Sequence, residues 1–145
     1  MSLPSLNRHQ IREKALQTIF QLKFNDDLER QAAITAALLS ELEDVEEDAV
    51  PNEPYLEKLV DGVLDNEHAI NEIIKPYLKK WTLERLPKTD SIILQIAVYE
   101  MVFAKDDEVP QKVALNEAIE LVKAYSDDKS RKFINGVLSN LINED

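Results

Sequence analysis

Apolar residues recur along most of the chain at the spacing of an α-helix. In the segment 8–24, for example, Ile11, Ala15, Ile19 and Leu22 are three or four positions apart and would share one face of a helix. The same spacing returns in the later segments, and we find no convincing alternation of apolar and polar residues that would predict a strand. The pattern predicts an all-α protein with about seven helices.

Residues that cap or break helices mark where these helices begin and end. Asn, Asp, Ser and Thr side chains accept hydrogen bonds from the first free N–H groups of a helix, and proline fits its first turn. Such residues occur at Asn7, 25–27, Pro54, 65–66, Pro76, Pro87, 89–90, Pro110 and 126–128. We expect the helix 91–104 in the middle of a bundle, because it is apolar around almost its whole circumference. Gly62 is expected at a close crossing of two helices.

An acidic segment interrupts the helical pattern at residues 41–53. It carries seven carboxylates and no cation, and its spacing matches no EF-hand loop. We therefore expect a surface connection here rather than a cation site. At 145 residues the chain has the length of one domain or of two small subdomains.

Composition excludes several classes of function. The chain has no cysteine, which excludes disulfides and thiolate-bound metal, and its two glycines exclude a Gly-rich phosphate loop. His9 and His68 have no partner motif that would make a nucleophile–base pair. We expect no catalysis, no metal and no cofactor. No apolar run approaches the length of a membrane span or forms a signal core, so the expected location is cytoplasmic.

The formal net charge of −11 argues against nonspecific nucleic-acid binding. Local charge matters more than the total, because salt screens charges over about 8 Å. Near the N-terminus, Arg8, Arg12 and Lys14 face only Glu13. Arg8 and Arg12 are one helical turn apart, so they either reach the same anion or are simply solvated.

The predicted last helix carries a face that packing alone does not explain. Lys129, Lys132, Phe133 and Gly136 fall at i, i+3, i+4 and i+7, and Arg131 lies close by. Cations at the start of a helix oppose its dipole, whereas an anionic ligand there would be attracted both by the cations and by the free N–H groups. Phe133 is suited to stack on a base, and Gly136 would admit a close backbone. The alternative is a solvated basic patch, with Phe133 at the edge of the core and Gly136 at a helix crossing.

Four stretches of the sequence resemble the NusB transcription antitermination family. They are the helix 110–122, the stretch Lys-Phe-Ile-Asn-Gly-Val-Leu at 132–138, Lys-Pro-Tyr-Leu at 75–78, and Ile-Ile-Leu-Gln-Ile-Ala-Val-Tyr-Glu at 92–100. Each is weak by itself, but their order and spacing match over about residues 8–141. The resemblance implies a single all-α domain over residues 1–145 with two packed helical bundles, which we place at about 6–86 and 87–142.

The same resemblance implies a non-catalytic RNA-binding adaptor. Members of the family bind boxA-type single-stranded RNA of ribosomal RNA leader transcripts together with a NusE-type small-subunit ribosomal protein, and the complex acts on RNA polymerase. Some members dimerise, so a homodimer is a further state to consider. The rival prediction is a structural helical module that recognises protein only, without RNA.

Family positions assign roles to eight residues. Those matched to RNA contacts are Arg8, Arg12, Phe20, Lys129, Arg131, Lys132 and Phe133. Phe20 stands where relatives often carry tyrosine, and it either contacts a base or fills the core. Lys129 stands where relatives often carry an acid, which would add attraction for RNA. Asp90 matches an acidic position that faces the ribosomal protein, and an N-cap role at the start of the central helix is compatible with that contact.

Overall fold

Seven α-helices make up most of the computed structural model, which describes residues 6–40, 53–104 and 109–142. They are α1 (Arg8–Phe24), α2 (Arg30–Leu39), α3 (Pro54–Asp65), α4 (Glu67–Ile74), α5 (Lys88–Val98), α6 (Gln111–Tyr125) and α7 (Asp128–Ile142). Two 3-10 turns, Lys75–Tyr77 and Leu83–Arg85, lie between α4 and α5, and a π-helical turn, Tyr99–Phe103, continues α5. The described residues contain no strand, so the all-α prediction is confirmed. The predicted acidic connection falls on residues 41–52, outside the described residues, except for Glu53.

Contacts between Cα atoms divide the chain into two compact units, Met1–Asp61 and Gly62–Asp145. In the first unit α1 packs against α2 through apolar faces. Their buried residues include Ile11, Ala15, Leu16 and Ile19 of α1 and Ala33, Ile34, Ala37 and Leu38 of α2. The two-bundle division at about residue 86 stays a prediction.

Asn7 starts α1 as predicted. Its side chain accepts a hydrogen bond from the backbone N–H of Gln10 at 2.8 Å, and the Gln10 side chain accepts one from the backbone N–H of Asn7 at 2.9 Å. This reciprocal pair satisfies two N–H groups that the first turn would otherwise leave open.

In the second unit α5 is the central helix, as predicted for the segment that is apolar all round. It contacts α4, α6 and α7, and every residue from Asp90 to Val98 is buried. Gly62, in the last turn of α3, lies directly beneath the Tyr99 ring. A Cβ added at Gly62 would come within 2.2 Å of a ring carbon, so the predicted close crossing is confirmed.

Three predicted helix boundaries are wrong. Helix α5 begins at Lys88 rather than Ser91, because the Pro87 carbonyl already accepts the Ser91 N–H at 3.1 Å. Asp90 is therefore the third residue of the helix and not its N-cap. The α-helical part of this segment also ends early, at Val98, where the π-helical turn begins.

The third wrong boundary is the start of α2, which does not follow directly on residues 25–27. Asn25 instead closes a turn, in which its carbonyl accepts the Leu28 N–H at 3.2 Å and its side chain accepts the Asp27 N–H at 3.2 Å. Glu29 occupies the N-cap position without a side-chain hydrogen bond. Side chains that cap a helix can equally well close a turn, which explains the error.

Candidate nucleic-acid interface

A groove of about 540 Å³ lies in the second unit between α7 and the segment that follows α4. Two aromatic rings form part of its wall. The ring centroids of Trp81 and Phe133 are 6.3 Å apart and their planes meet at 70°, so the rings pack edge to face. Trp81 is 46% exposed, whereas Phe133 is half-buried. We call this the first groove.

Four cations line the first groove, namely Lys79, Lys80, Arg85 and Lys132. All four side chains are exposed, and none forms an ion pair with another described residue. Cations without an acidic partner retain their full attraction for an anion. An acidic chain thus carries, in this groove, a local site of the opposite sign.

The segment between α4 and Trp81 is a tight turn that presents the cations and the indole ring together. The Leu78 N–H donates to the Lys75 carbonyl at 3.1 Å, and the Trp81 N–H donates to the Leu78 carbonyl at 3.0 Å. Leu78 is 1% exposed and anchors the turn in the core. Lys79 has a φ of 59°, the only positive value among the described non-glycine residues. Such a conformation is unfavourable for a residue with a Cβ and persists only where the surrounding structure fixes it.

The start of α7 is fixed by Asp127, within the segment 126–128 predicted to cap it. The Asp127 carboxylate accepts a hydrogen bond from the backbone N–H of Ser130 at 2.8 Å. Donation from the Ser130 backbone N–H lowers the pKa of Asp127, because this bond favours the charged carboxylate. The predicted cap therefore places a negative charge at the positive end of the helix dipole, where it is stabilising.

A partly buried hydrogen bond joins the starts of α5 and α7. The Ser130 hydroxyl donates to one carboxylate oxygen of Asp90 at 2.6 Å, and Asp90 is only 2% exposed. The other oxygen, Oδ1, has no hydrogen-bond partner among the described residues. The carboxylate thus lies inside the second unit, where it holds α7 in place. Contact between Asp90 and a partner protein stays a prediction.

A second groove, of about 310 Å³, is also lined by the aromatic pair. It shares Trp81, Arg85 and Phe133 with the first groove and adds Lys129, Ser130 and two carboxylates, those of Asp90 and Asp127. Lys129 is exposed.

Arg131, the remaining predicted cation of α7, is half-buried. One of its terminal nitrogens lies 3.5 Å from the Asp128 carboxylate, and its Nε is buried with no hydrogen-bond partner among the described residues. Of the predicted cations of α7, Lys129 and Lys132 are therefore the exposed pair.

The three predicted RNA contacts of the first unit differ in exposure. Arg8 is exposed, and its guanidinium carbon lies 3.4 Å from the centroid of the Tyr55 ring. Arg12, one turn later, is 3% exposed and has an interaction partner. Phe20 is 38% exposed, with its ring centroid 4.8 Å from that of Phe24. The roles of all three stay predictions.

Of the two roles left open for Gly136, the helix crossing is excluded, since a Cβ there would meet no atom of the described residues within 4 Å. The sequence did not predict Trp81 or the cations at 79, 80 and 85 as part of the site. A signal was present, because residues 75–88 hold five cations against one acid. Within the described part of the chain, no three His, Asp or Glu side chains are grouped so as to hold a metal ion. No described helix is both long and apolar enough to cross a membrane.

The comparison with known proteins agrees with this geometry. The family model described as the NusB family matches residues 9–143. The transcription antitermination protein NusB of Enterococcus faecalis is 49% identical, over 99% of this chain and 94% of the relative. Among solved structures, NusB of T. maritima is 30% identical over 99% of this chain and 94% of that one, with a TM-score of 0.76. A further structure, of the antitermination factors NusB and NusE in complex with dsRNA, is 26% identical over 92% of this chain and 94% of that one, with a TM-score of 0.73.

The family-model match, the identity over nearly the full length of the relatives and the shared all-α fold lead to one conclusion: this chain belongs to the NusB family.

Proposed function

We propose that the protein is an adaptor of transcription antitermination that binds boxA-type RNA of ribosomal RNA leader transcripts together with a NusE-type ribosomal protein. The observation that carries the RNA-binding part is the first groove, where the exposed ring of Trp81 and the half-buried ring of Phe133 lie among cations that have no acidic partner in the described part of the chain. Membership of the NusB family, together with a solved relative in complex with NusE and RNA, supports the protein partner.

The groove suits single-stranded RNA better than a duplex. Phosphates are attracted to Lys79, Lys80 and Lys132, and an unpaired base can stack on an exposed ring. In an A-form duplex the base faces are already stacked on each other, so the aromatic rings would gain no partner. The solved relative holds double-stranded RNA, so both forms of RNA belong in the test.

Within this proposal, Lys132 and Phe133 form the centre of the site, with Lys129 and Arg131 beside them. Arg8, Arg12 and Phe20 of the first unit are further RNA contacts in this proposal, and Arg8 is the more accessible of the two arginines. Asp90 is the residue assigned to the contact with the protein partner. In this proposal the protein is non-catalytic, acts in the RNA polymerase antitermination complex and is located in the cytoplasm.

Two substitutions test two kinds of contact at the RNA site, base stacking and the attraction of a cation for phosphate. Phe133→Leu keeps apolar bulk but removes the aromatic ring, and we expect it to weaken binding by about 1–3 kcal/mol at every salt concentration. Lys132→Ala should weaken binding mainly at low salt and flatten the salt dependence by about one phosphate contact. Lys123→Ala is the matched charge control, because Lys123 lies on α6 and is paired with Glu120 at 3.3 Å. Affinity is measured by fluorescence anisotropy with a boxA-like strand, a scrambled strand and a duplex, beside the melting temperature of each variant.

Coupling to the protein partner is tested by titrating RNA with and without the NusE-type protein. RNA and NusE-type protein should each raise the affinity for the other by the same factor, since linkage is reciprocal. If the NusE-type protein binds while no RNA does, the protein is an interaction module for protein alone. If both bind singly without coupling, the adaptor role is refuted.

A further inference from the structure

The edge-to-face pair of Trp81 and Phe133 forms a wall that two grooves share. Both rings line the first groove of about 540 Å³ and the second groove of about 310 Å³. Volumes of about 300–1,000 Å³ are those that small ligands occupy in proteins. Two grooves that share one pair of rings offer more aromatic surface for stacking than a single base can cover.

We propose that Trp81 is a second base-stacking residue, and that two unpaired nucleotides of one RNA strand occupy the two grooves that share the Trp81–Phe133 wall. This inference rests on the proposed RNA binding and specifies how the strand lies in the site. It adds Trp81, which neither the helix pattern nor the family positions above assign to RNA.

The geometry of the pair leaves ring faces available. In an edge-to-face contact the edge of one ring covers one face of the other, so this contact does not itself cover the remaining faces of the two rings. Trp81 also keeps 46% of its surface exposed although it is the largest side-chain type. Burying such a surface against a base removes apolar area from water.

The turn fixes the backbone that carries the exposed Trp81 ring. Its N–H is bonded to the carbonyl of buried Leu78, and the intervening Lys79 keeps a left-handed conformation. A residue that is fixed before binding loses less conformational freedom when the ligand arrives. The same turn places Lys79 and Lys80 beside the ring, where they can neutralise the phosphates of the stacked nucleotide.

Charge distinguishes the two grooves. Among the described residues that line the first groove, the charged ones are all cations, so this groove can hold a nucleotide with its phosphate. In the second groove, Arg85 and Lys129 are matched in number by Asp90 and Asp127, and the carboxylates repel phosphate. We therefore place the sugar–phosphate backbone on the side of Lys79, Lys80 and Lys132, with the base of the neighbouring nucleotide in the second groove.

Trp81 is the only tryptophan in the chain, so its fluorescence reports on the wall without any label. Titration of the full chain with unlabelled boxA-like single-stranded RNA should quench this fluorescence. The quenching should saturate at the dissociation constant that anisotropy gives. A scrambled strand should need a higher concentration for the same effect.

Two variants separate stacking from packing. Trp81→Phe keeps an aromatic ring against Phe133 and should bind RNA almost as the parent does. Trp81→Leu should weaken binding about 5- to 150-fold at both low and high salt, the range expected for the loss of one stacked base. Melting temperatures show whether either variant has lost its fold, and the Trp81→Phe result remains informative if Trp81→Leu has.

The two-nucleotide arrangement has its own test. The rings are in contact, so the losses from Trp81→Leu and Phe133→Leu need not multiply exactly, but the double variant should bind more weakly than either single variant if each ring holds a different base. Abasic substitutions moved along the boxA-like strand should then find two neighbouring positions that each lower affinity. A double variant no weaker than either single variant, or one sensitive abasic position, would refute the arrangement.

The outcomes also distinguish this inference from the proposed function. If Trp81 fluorescence does not change and Trp81→Leu binds RNA normally, while Phe133→Leu and Lys132→Ala weaken binding, the stacking role of Trp81 is wrong and the proposed function stands. If the parent protein binds no RNA, with or without the NusE-type protein, both are wrong.

Discussion

The two glycines of the chain should respond to alanine in opposite directions, although both lie inside helices. Gly136 is exposed on α7, and a Cβ there would meet no atom within 4 Å. Gly136→Ala therefore gains the difference in helix propensity without a steric cost, about 1 kcal/mol. For a chain of this size that corresponds to a rise in melting temperature of about 3 °C.

Gly62→Ala should have the opposite effect. The new Cβ would lie 2.2 Å from Cζ of Tyr99 and 2.3 Å from Cε1, whereas carbon atoms in contact rest at about 3.5–4 Å. The Tyr99 ring is 6% exposed and lies parallel to the ring of Phe103, so it has little room to move. Overpacking costs about 1–3 kcal/mol, and a contact of 2.2 Å calls for the upper part of that range, about 2–3 kcal/mol. After the gain in helix propensity of about 1 kcal/mol we expect a net loss of about 1–2 kcal/mol.

Thermal and urea unfolding, followed by far-UV circular dichroism, measure both changes. Tyr99→Leu supplies the control, because Gly62→Ala should cease to be destabilising once the ring is gone. A neutral Gly62→Ala, or a destabilising Gly136→Ala, would refute the reasoning from steric space. Gly136 also lines the first groove, so we expect Gly136→Ala to lower RNA affinity while it raises stability. Unchanged affinity would mean that RNA does not approach α7 at this residue.

Three further predictions concern the turns and caps around the grooves. Asp127→Ala should lower the melting temperature by a few degrees at neutral pH, because it removes the N-cap of α7. The pKa of Asp127 is lowered in the folded state, so the stability that this carboxylate contributes is present above about pH 4 and is lost as the pH falls through the folded pKa. Thermal scans of parent and variant should therefore converge at low pH. Lys79→Gly relieves the positive φ whereas Lys80→Gly does not, so urea unfolding should find the first variant more stable than the second by about 1 kcal/mol, and equal stabilities would contradict strain at position 79. Ser130→Ala removes the hydrogen bond to the buried Asp90 carboxylate and should lower the free energy of unfolding by about 1–3 kcal/mol. The double variant with Asp90→Ala should lose less stability than the sum of the two single variants. Losses that simply add would show that this hydrogen bond does not stabilise the fold.

The parts of the fold that were predicted correctly depend on residues close together in sequence. Asn7 and Gln10 are three positions apart, and their capping box gives the start of α1 directly. The central position of α5 follows from its own apolar circumference. The start of α5 was predicted wrongly because two local signals compete there. Asp90 has a side chain typical of an N-cap, but Pro87, three residues earlier, occupies the N-cap position.

Only the part of the candidate site that lies within one helix was predicted from the sequence. Lys129, Lys132 and Phe133 share one helix, so their spacing alone places them near each other. Trp81 belongs to a separate turn, and its contact with Phe133 depends on how that turn packs against α7, which no helical period encodes. The fate of Arg12 shows the same limit, since periodicity placed it one turn from Arg8 but did not show that it is buried.

The cationic lining of the first groove, on a chain whose net charge is −11, has a consequence for how RNA is found. A polyanion that meets the acidic parts of the chain is repelled within the screening distance of about 8 Å, so most collisions end without a complex. Proteins with broad positive surfaces instead hold nucleic acid nonspecifically and scan along it. This chain should spend little time on unrelated transcripts and none scanning along them. In a cell crowded with RNA, most copies would remain free, ready for the brief interval in which a leader transcript emerges from the polymerase.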